Sequence, residues 1–247
     1  MHLKFSGNRA LILGGNSELG ICLAKYLINA AIFPILTYRN ETGHRHILDR
    51  LQSVEGKYSS FHLDFDAPAS LDSLFRRIGD NLDFLVDFAH ANHESLVASA
   101  DEERLSRYFA ENISFRAAVL KRAARAMLRN KRGRLVFISS SAAKRPNPGQ
   151  GFYAAAKLAS EALYKNLGLE LGERGITTVT LRPGYIDAGR GRAFIQSKGE
   201  DALKKVPTKK ALTKEEVAET ILFYLSDSAG GANATEISMD GGLTAGK

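Results

Sequence analysis

The sequence predicts an α/β fold: one doubly wound domain in which a seven-stranded parallel sheet carries helices on both faces. Three observations lead there. Short β-rich apolar runs alternate with amphipathic helical stretches along the chain. The strand runs are apolar at nearly every position, as strands are when helices cover both sheet faces. The 247 residues, 44% hydrophobic and 25% charged, are enough for one large core, burying about 70% of the unfolded chain's surface.

In chain order the expected strands are RALIL, FPILTY, SSFHLD, DFLVDFA, RLVFIS, TTVTLRP and EISMDG. Between them the apolar spacing predicts helices over 19–30, 43–54, 69–80, 102–130, 153–174 and 214–227. The last opens on Thr213 followed by Glu216, a capping box. Residues 185–212, rich in Gly, Lys and Arg, form the one long irregular stretch and read as a mobile flap over a site. No repeat, low-complexity tract or linker divides residues 1–247.

No window approaches 18 consecutive apolar residues, and the opening MHLKFSGNRALIL lacks the layout of a secretion signal. A single cysteine, Cys22, excludes an internal disulfide framework and fits a reducing compartment. The chain is expected in the cytoplasm, without a membrane partner. Its net charge of +7 attracts polyanions of several kinds. The densest basic stretch, 116–134, follows a helical pattern and reads first as a solvated helix face.

RALIL runs into GGNSELG and then into the helical pattern LGICLAKYLINA. Strand, glycine turn and helix in that order make a dinucleotide site: the helix N-terminus offers free N–H groups to a pyrophosphate, and glycines let the backbone come close. Farther on, YAAAK places Tyr153 and Lys157 four residues apart on one helix face. A phenol near pKa 10 is a poor proton donor or acceptor at neutral pH, and a neighbouring ammonium favours its ionised form. That spacing recurs by chance, so its weight comes from context.

The context resembles the short-chain dehydrogenase/reductase superfamily, whose turn reads T-G-x-x-x-G-x-G. Gly14 and Gly20 match its outer glycines, Leu13 replaces the Thr, and Glu18 stands where the middle Gly belongs. A carboxylate there is unfavourable beside a pyrophosphate unless it points away or pairs with a cation. The resemblance implies a Rossmann fold and cofactor contacts from Gly14, Asn16, Ser17, Leu19 and Gly20. Arg39, within TYRN at the end of the second strand, stands where an acidic residue would select NAD and implies NADP(H). Asp64 and Phe65 take the adenine-side positions, while the family's N-N-A-G becomes DFAH and keeps only Ala89. In RPGYID, Pro183, Gly184 and Ile186 match the turn over the nicotinamide, with Ala188 replacing a Thr, and SMDGG matches the terminal V-D-G-G. His90 and His93 lack companion ligands at metal spacing, so no metal is expected.

By the same resemblance Tyr153 protonates a carbonyl oxygen as hydride arrives from the nicotinamide. Lys157 lowers the Tyr153 pKa and binds the nicotinamide ribose. Ser140, thirteen residues upstream, polarises the oxygen, with Ser139 and Ser141 as alternatives, and Asn112 holds a relay water. The look is nearest to the 3-oxoacyl-[acyl-carrier-protein] reductases, which implies a 3-oxoacyl thioester substrate. It also implies an acidic carrier protein docked beside the site entrance by Lys131, Arg132 and Arg174, rather than nucleic acid. Another small carbonyl (sugar, polyol, steroid or quinone) and a non-catalytic NADP-binding regulatory role remain alternatives. The helices of Asn112 and Tyr153 carry Ala-rich stripes beyond what one sheet face would consume, and the resemblance implies that they pair into a homotetramer.

Overall fold

The computed structural model describes residues 3–245; the ends of the expected 1–247 domain lie outside the described residues. Seven strands run parallel: β1 (Arg9–Leu13), β2 (Phe33–Tyr38), β3 (Ser59–His62), β4 (Phe84–Asp87), β5 (Gly133–Ile138), β6 (Ile176–Pro183) and β7 (Thr235–Met239). Their spatial order is β3-β2-β1-β4-β5-β6-β7. The order reverses between β1 and β4, and the loops leaving those strands therefore part into a crevice at the carboxyl edge of the sheet.

Alternate strand residues feed two cores. Ala10 and Ile12, with Phe84, Val86, Val136 and Ile138, pack under α1 (Glu18–Asn29), α2 (Glu41–Leu51) and α8 (Lys214–Leu225). Leu11, Leu13, Leu85, Leu135 and Phe137 pack under α3 (Pro68–Ile78), α5 (Phe115–Arg129) and α6 (Gly151–Leu171). Period-two side chains with both faces covered explain why these strands are apolar throughout. Helix α8 carries the expected capping box between Thr213 and Glu216.

Two segments differ from expectation. The helix expected over 102–130 is α4 (Glu102–Phe109) and α5 joined by a wide π turn, Ala110–Ser114, in which the Phe115 N–H reaches back to Ala110 O. This turn frees the Asn112 carbonyl from the regular ladder. The expected irregular flap instead contains α7 (Gly189–Lys198) and a 3₁₀ stretch, Gly199–Leu203. Gly189 and Gly191, weak helix formers, hid α7 from pattern reading. No helix among the described residues is long and apolar enough to cross a membrane.

Candidate active site

The glycine turn is built by close approach. Gly14 has φ +68°, a conformation that favours glycine. Its carbonyl accepts from Ser17 N–H (3.1 Å) and Oγ–H (2.8 Å). Ser17 caps α1 in turn, accepting from Gly20 N–H at 3.0 Å. A Cβ on Gly20 would stand 2.8 Å from Gly15 Cα, and one on Gly15 2.6 Å from Leu36 Cβ. The bare turn, the α1 N-terminus and a cavity of about 870 Å³ opening beside Ser17, Glu18 and Leu19 fit the pyrophosphate and nicotinamide half of a dinucleotide.

The Glu18 carboxylate points across the crevice to α7. It accepts from Gly189 N–H at 3.1 Å and pairs with Arg192 at 3.2 Å. The Gly189 hydrogen bond and Arg192 hold its pKa below the usual carboxylate range despite partial burial. Arg39, with its side chain 51% exposed, is already engaged: Asp64 at 3.0 Å, Asp66 at 2.7 Å and Glu111 at 3.7 Å. Phe65 stacks on Phe115, ring centres 4.4 Å apart. Arg39, Asp64, Phe65, Ala89 and Asn16 do not line the cavity; Asn16 faces α2, its carbonyl 2.9 Å from His46 Nδ1.

At the other end the cavity wall brings together Ser140, Tyr153, Lys157, Pro183, Gly184 and Ile186. Burial raises the Tyr153 pKa, against the pull of a hydrogen bond with Ser140 and of the Arg190 charge. Of the three serines, Ser139 bonds Glu161, and Ser141 begins the 3₁₀ turn after β5. Ser140 caps that turn by accepting from Ala142 N–H at 3.1 Å and lines the cavity with Tyr153. Lys157 is buried and donates to Ile138 O at 2.8 Å, with Nζ 5.9 Å from the Tyr153 ring centre. Burial first, then Arg116, bring its pKa down to about 7. The expectation that Lys157 depresses the Tyr153 pKa is thus unmet in this arrangement, because Nζ is turned to a backbone carbonyl and the dry wall acts on both groups.

Asn112 is fully buried and does not line the cavity. Its amide donates to Tyr108 O (2.9 Å) and its Oδ1 accepts from Ala91 N–H (3.1 Å). Its carbonyl accepts from Arg116 Nη1 and Ser160 Oγ. Nδ2 and Oδ1 of this buried residue thus each have one protein partner, with one amide hydrogen and one Oδ1 lone pair beyond them. Arg116, expected on a solvated face, is 0% exposed: it pairs with the equally buried Asp87 at 2.7 Å and donates to Ser160 Oγ and Ala89 O. Tyr164 completes the Asp87 shell at 3.0 Å.

Pattern reading also passed over three residues at the site. His90 faces Tyr153 edge to face at 4.8 Å and lies 2.9 Å by Nε2 from Tyr108 OH, while its buried Nδ1 has no partner. Burial keeps this imidazole neutral. Arg190 lies over the Tyr153 ring at 5.9 Å, and Arg192 anchors Glu18. The DFAH departure was the signal for His90; the two arginines had none beyond a basic flap. No cluster of three or more potential metal ligands occurs among the described residues.

The expected carrier-docking residues lie elsewhere. Lys131 and Arg174 occupy adjoining exposed turns that lead into β5 and β6, joined by Gly133 N–H to Gly175 O at 3.1 Å. Arg132 is held by the buried Asp83 at 2.6 Å. All three stand at the amino edge of the sheet, about 20 Å along β5 from the cavity. Within one chain they do not flank the entrance, because parallel strands put their starts and ends on opposite edges.

Comparison with known proteins agrees with this architecture. A family model described as "Enoyl-(Acyl carrier protein) reductase" matches residues 15–244. The 3-oxoacyl-[acyl-carrier-protein] reductase FabG of Escherichia coli is 29% identical, covering 98% of this chain and 99% of that one. The 3-oxoacyl-[acyl-carrier-protein] reductase MabA of Mycobacterium bovis is 27% identical over 97% and 94%. A solved short-chain type dehydrogenase/reductase from Mycobacterium ulcerans superposes with TM-score 0.89 at 26% identity, covering 98% of this chain and 92% of that one. A solved structure of ElxO with NADP bound superposes at 0.89 with 23% identity, covering 97% and 100%, and shares the fold. With a glycine turn, a Tyr-x-x-x-Lys helix and a family match over nearly its whole length, the chain belongs to the short-chain dehydrogenase/reductase superfamily of oxidoreductases.

Proposed function

We propose that this enzyme uses NADPH to reduce a carbonyl to a hydroxyl, its substrate a 3-oxoacyl thioester. The observation that carries the reading is the meeting of Ser140, Tyr153 and Lys157 on one cavity wall, reached from the glycine turn. The reduced nicotinamide, when bound, supplies the hydride. The Ser140 hydroxyl orients the substrate oxygen, and the Tyr153 phenol, kept protonated by burial, donates its proton to that oxygen as negative charge develops. Lys157 holds the nicotinamide ribose. Gly14, Ser17, Leu19 and Gly20 hold the pyrophosphate, and Pro183, Gly184 and Ile186 close over the nicotinamide.

Support for NADPH comes from Arg39, whose exposed pairs with Asp64 and Asp66 are the weak kind that a 2′-phosphate can replace. Among proteins of the same fold, ElxO has been solved with NADP bound. The thioester follows from FabG and MabA, both named for 3-oxoacyl-carrier substrates. A carrier protein docked on Lys131 and Arg174 could serve only the cavity of another copy, which agrees with the expected homotetramer. Exposed Leu158 and Leu169 on α6 support self-association.

The test is NADPH oxidation with acetoacetyl, crotonyl and free-ketone substrates. Reduction of acetoacetyl thioester, lost at least 100-fold in kcat by Tyr153→Phe with NADPH affinity kept within twofold, supports the reading. Preference for crotonyl thioester would move the activity to the enoyl bond of the family description. Preference for free ketones would remove the thioester.

A further inference from the structure

Two departures from the family pattern meet in space. Ala188, where the pattern has Thr, leaves α7 without a side-chain cap of its own. Glu18, where it has Gly, supplies that cap from a residue 171 positions away, taking Gly189 N–H at 3.1 Å. The same carboxylate receives Arg192 at 3.2 Å, and Arg192 is braced from behind by Asp187, with Nε–Oδ1 at 2.9 Å and Nη2 to the Asp187 carbonyl at 2.7 Å. Glu18 and Gly189 both line the cavity, whereas Arg192 stands behind Glu18 and outside the lining. Glu18 is also the first residue of α1, at the helix end where this fold offers its N–H groups to a pyrophosphate. One carboxylate, carried on the first turn of α1, thus caps α7 and pairs with an arginine at the mouth of the glycine turn.

We propose that Glu18 is a resident anion standing in for the cofactor pyrophosphate, and that Arg192 and the α7 N-terminus are pyrophosphate contacts it holds in reserve. The proposal rests on reading the crevice as a nicotinamide dinucleotide site and adds residues that the glycine turn alone does not predict. Glu18 must swing off Gly189 or lie beside the phosphates at the cost of like-charge repulsion, so it weakens cofactor binding. It also ties the helix covering the substrate cavity to the state of the cofactor site, since α7 loses its cap when the carboxylate leaves.

The test is equilibrium binding of NADPH, followed by nicotinamide fluorescence in the absence of substrate. Glu18→Gln keeps the size and an acceptor for Gly189 but removes the charge; it should tighten NADPH about tenfold, and Glu18→Gly should do at least as much. Binding of 2′-AMP, which carries no pyrophosphate, should stay within twofold in both variants. The decisive arm is Arg192→Gln in the Glu18→Gln background. If Arg192 serves the pyrophosphate, that variant loses at least fivefold in NADPH affinity; if it serves only Glu18, nothing changes and the proposal fails. An NADPH dissociation constant unmoved or raised by Glu18→Gln in a protein that melts normally also overturns it. Should no variant bind NADPH or NADH, the dinucleotide reading itself falls, and the proposal with it.

Discussion

Arg116→Leu should be among the most destabilising single substitutions in the chain. Arg116 and Asp87 have fully buried side chains. Besides Asp87, Arg116 satisfies Asn112 O, Ala89 O and Ser160 Oγ. Its removal leaves Asp87 with only Tyr164 OH and Ala89 N–H, an uncompensated charge in a dry core. Breaking such a pair from one side costs about 3–5 kcal/mol. For a domain of this size each kcal/mol lowers Tm by about 2–4 °C, so a fall of about 6–20 °C is expected. The double variant Asp87→Asn/Arg116→Leu removes both charges and should recover at least half of the loss, a coupling of about 2 kcal/mol. Thermal denaturation by circular dichroism at one fixed protein concentration reads both values, since any self-association also moves Tm. A single variant losing less than about 1 kcal/mol, or a double variant no better than the single, would refute the claim that this pair is held by burial.

Lys157 gives a pH signature. Its folded pKa of about 7 lies below the unfolded value near 10.5. Below pH 7 both states carry the charge and the folded state bears the full burial penalty. Between pH 7 and 10.5 the unfolded chain binds the extra proton, so stability rises with pH and levels off above. Lys157→Met should therefore raise Tm most at pH 6, with the gain shrinking toward pH 10, while abolishing turnover; a gain independent of pH in melting scans would contradict it. His90→Gln should leave the pH profile of kcat/KM unchanged between pH 5 and 8, because burial keeps the imidazole neutral throughout. A neutral-range limb that disappears in this variant would assign the limb to His90. Arg39→Ala should weaken NADPH about 10–100-fold in equilibrium titrations and leave NADH unaffected, the worth of one charge-assisted phosphate contact. Equal losses for both nucleotides would remove Arg39 from the 2′-phosphate.

Features written in local spacing are legible in the chain before it folds. Continuous apolar strands announced a doubly covered parallel sheet, GGNSELG between strand and helix announced the anion-binding turn, and the interval between Tyr153 and Lys157 put both on one helix face. Such features depend on the period of one element, which neighbouring residues record. The tertiary structure alone decided the partners. Glu18 finds Gly189, Arg116 finds Asp87, Arg39 finds Asp66 and Arg132 finds Asp83, across gaps in the chain that leave no periodic trace. A charged residue reads alike whether solvated or buried until its counter-ion is located. Strand direction, too, is a property of the assembled sheet, and it separates Lys131 and Arg174 from the cavity that they were expected to flank.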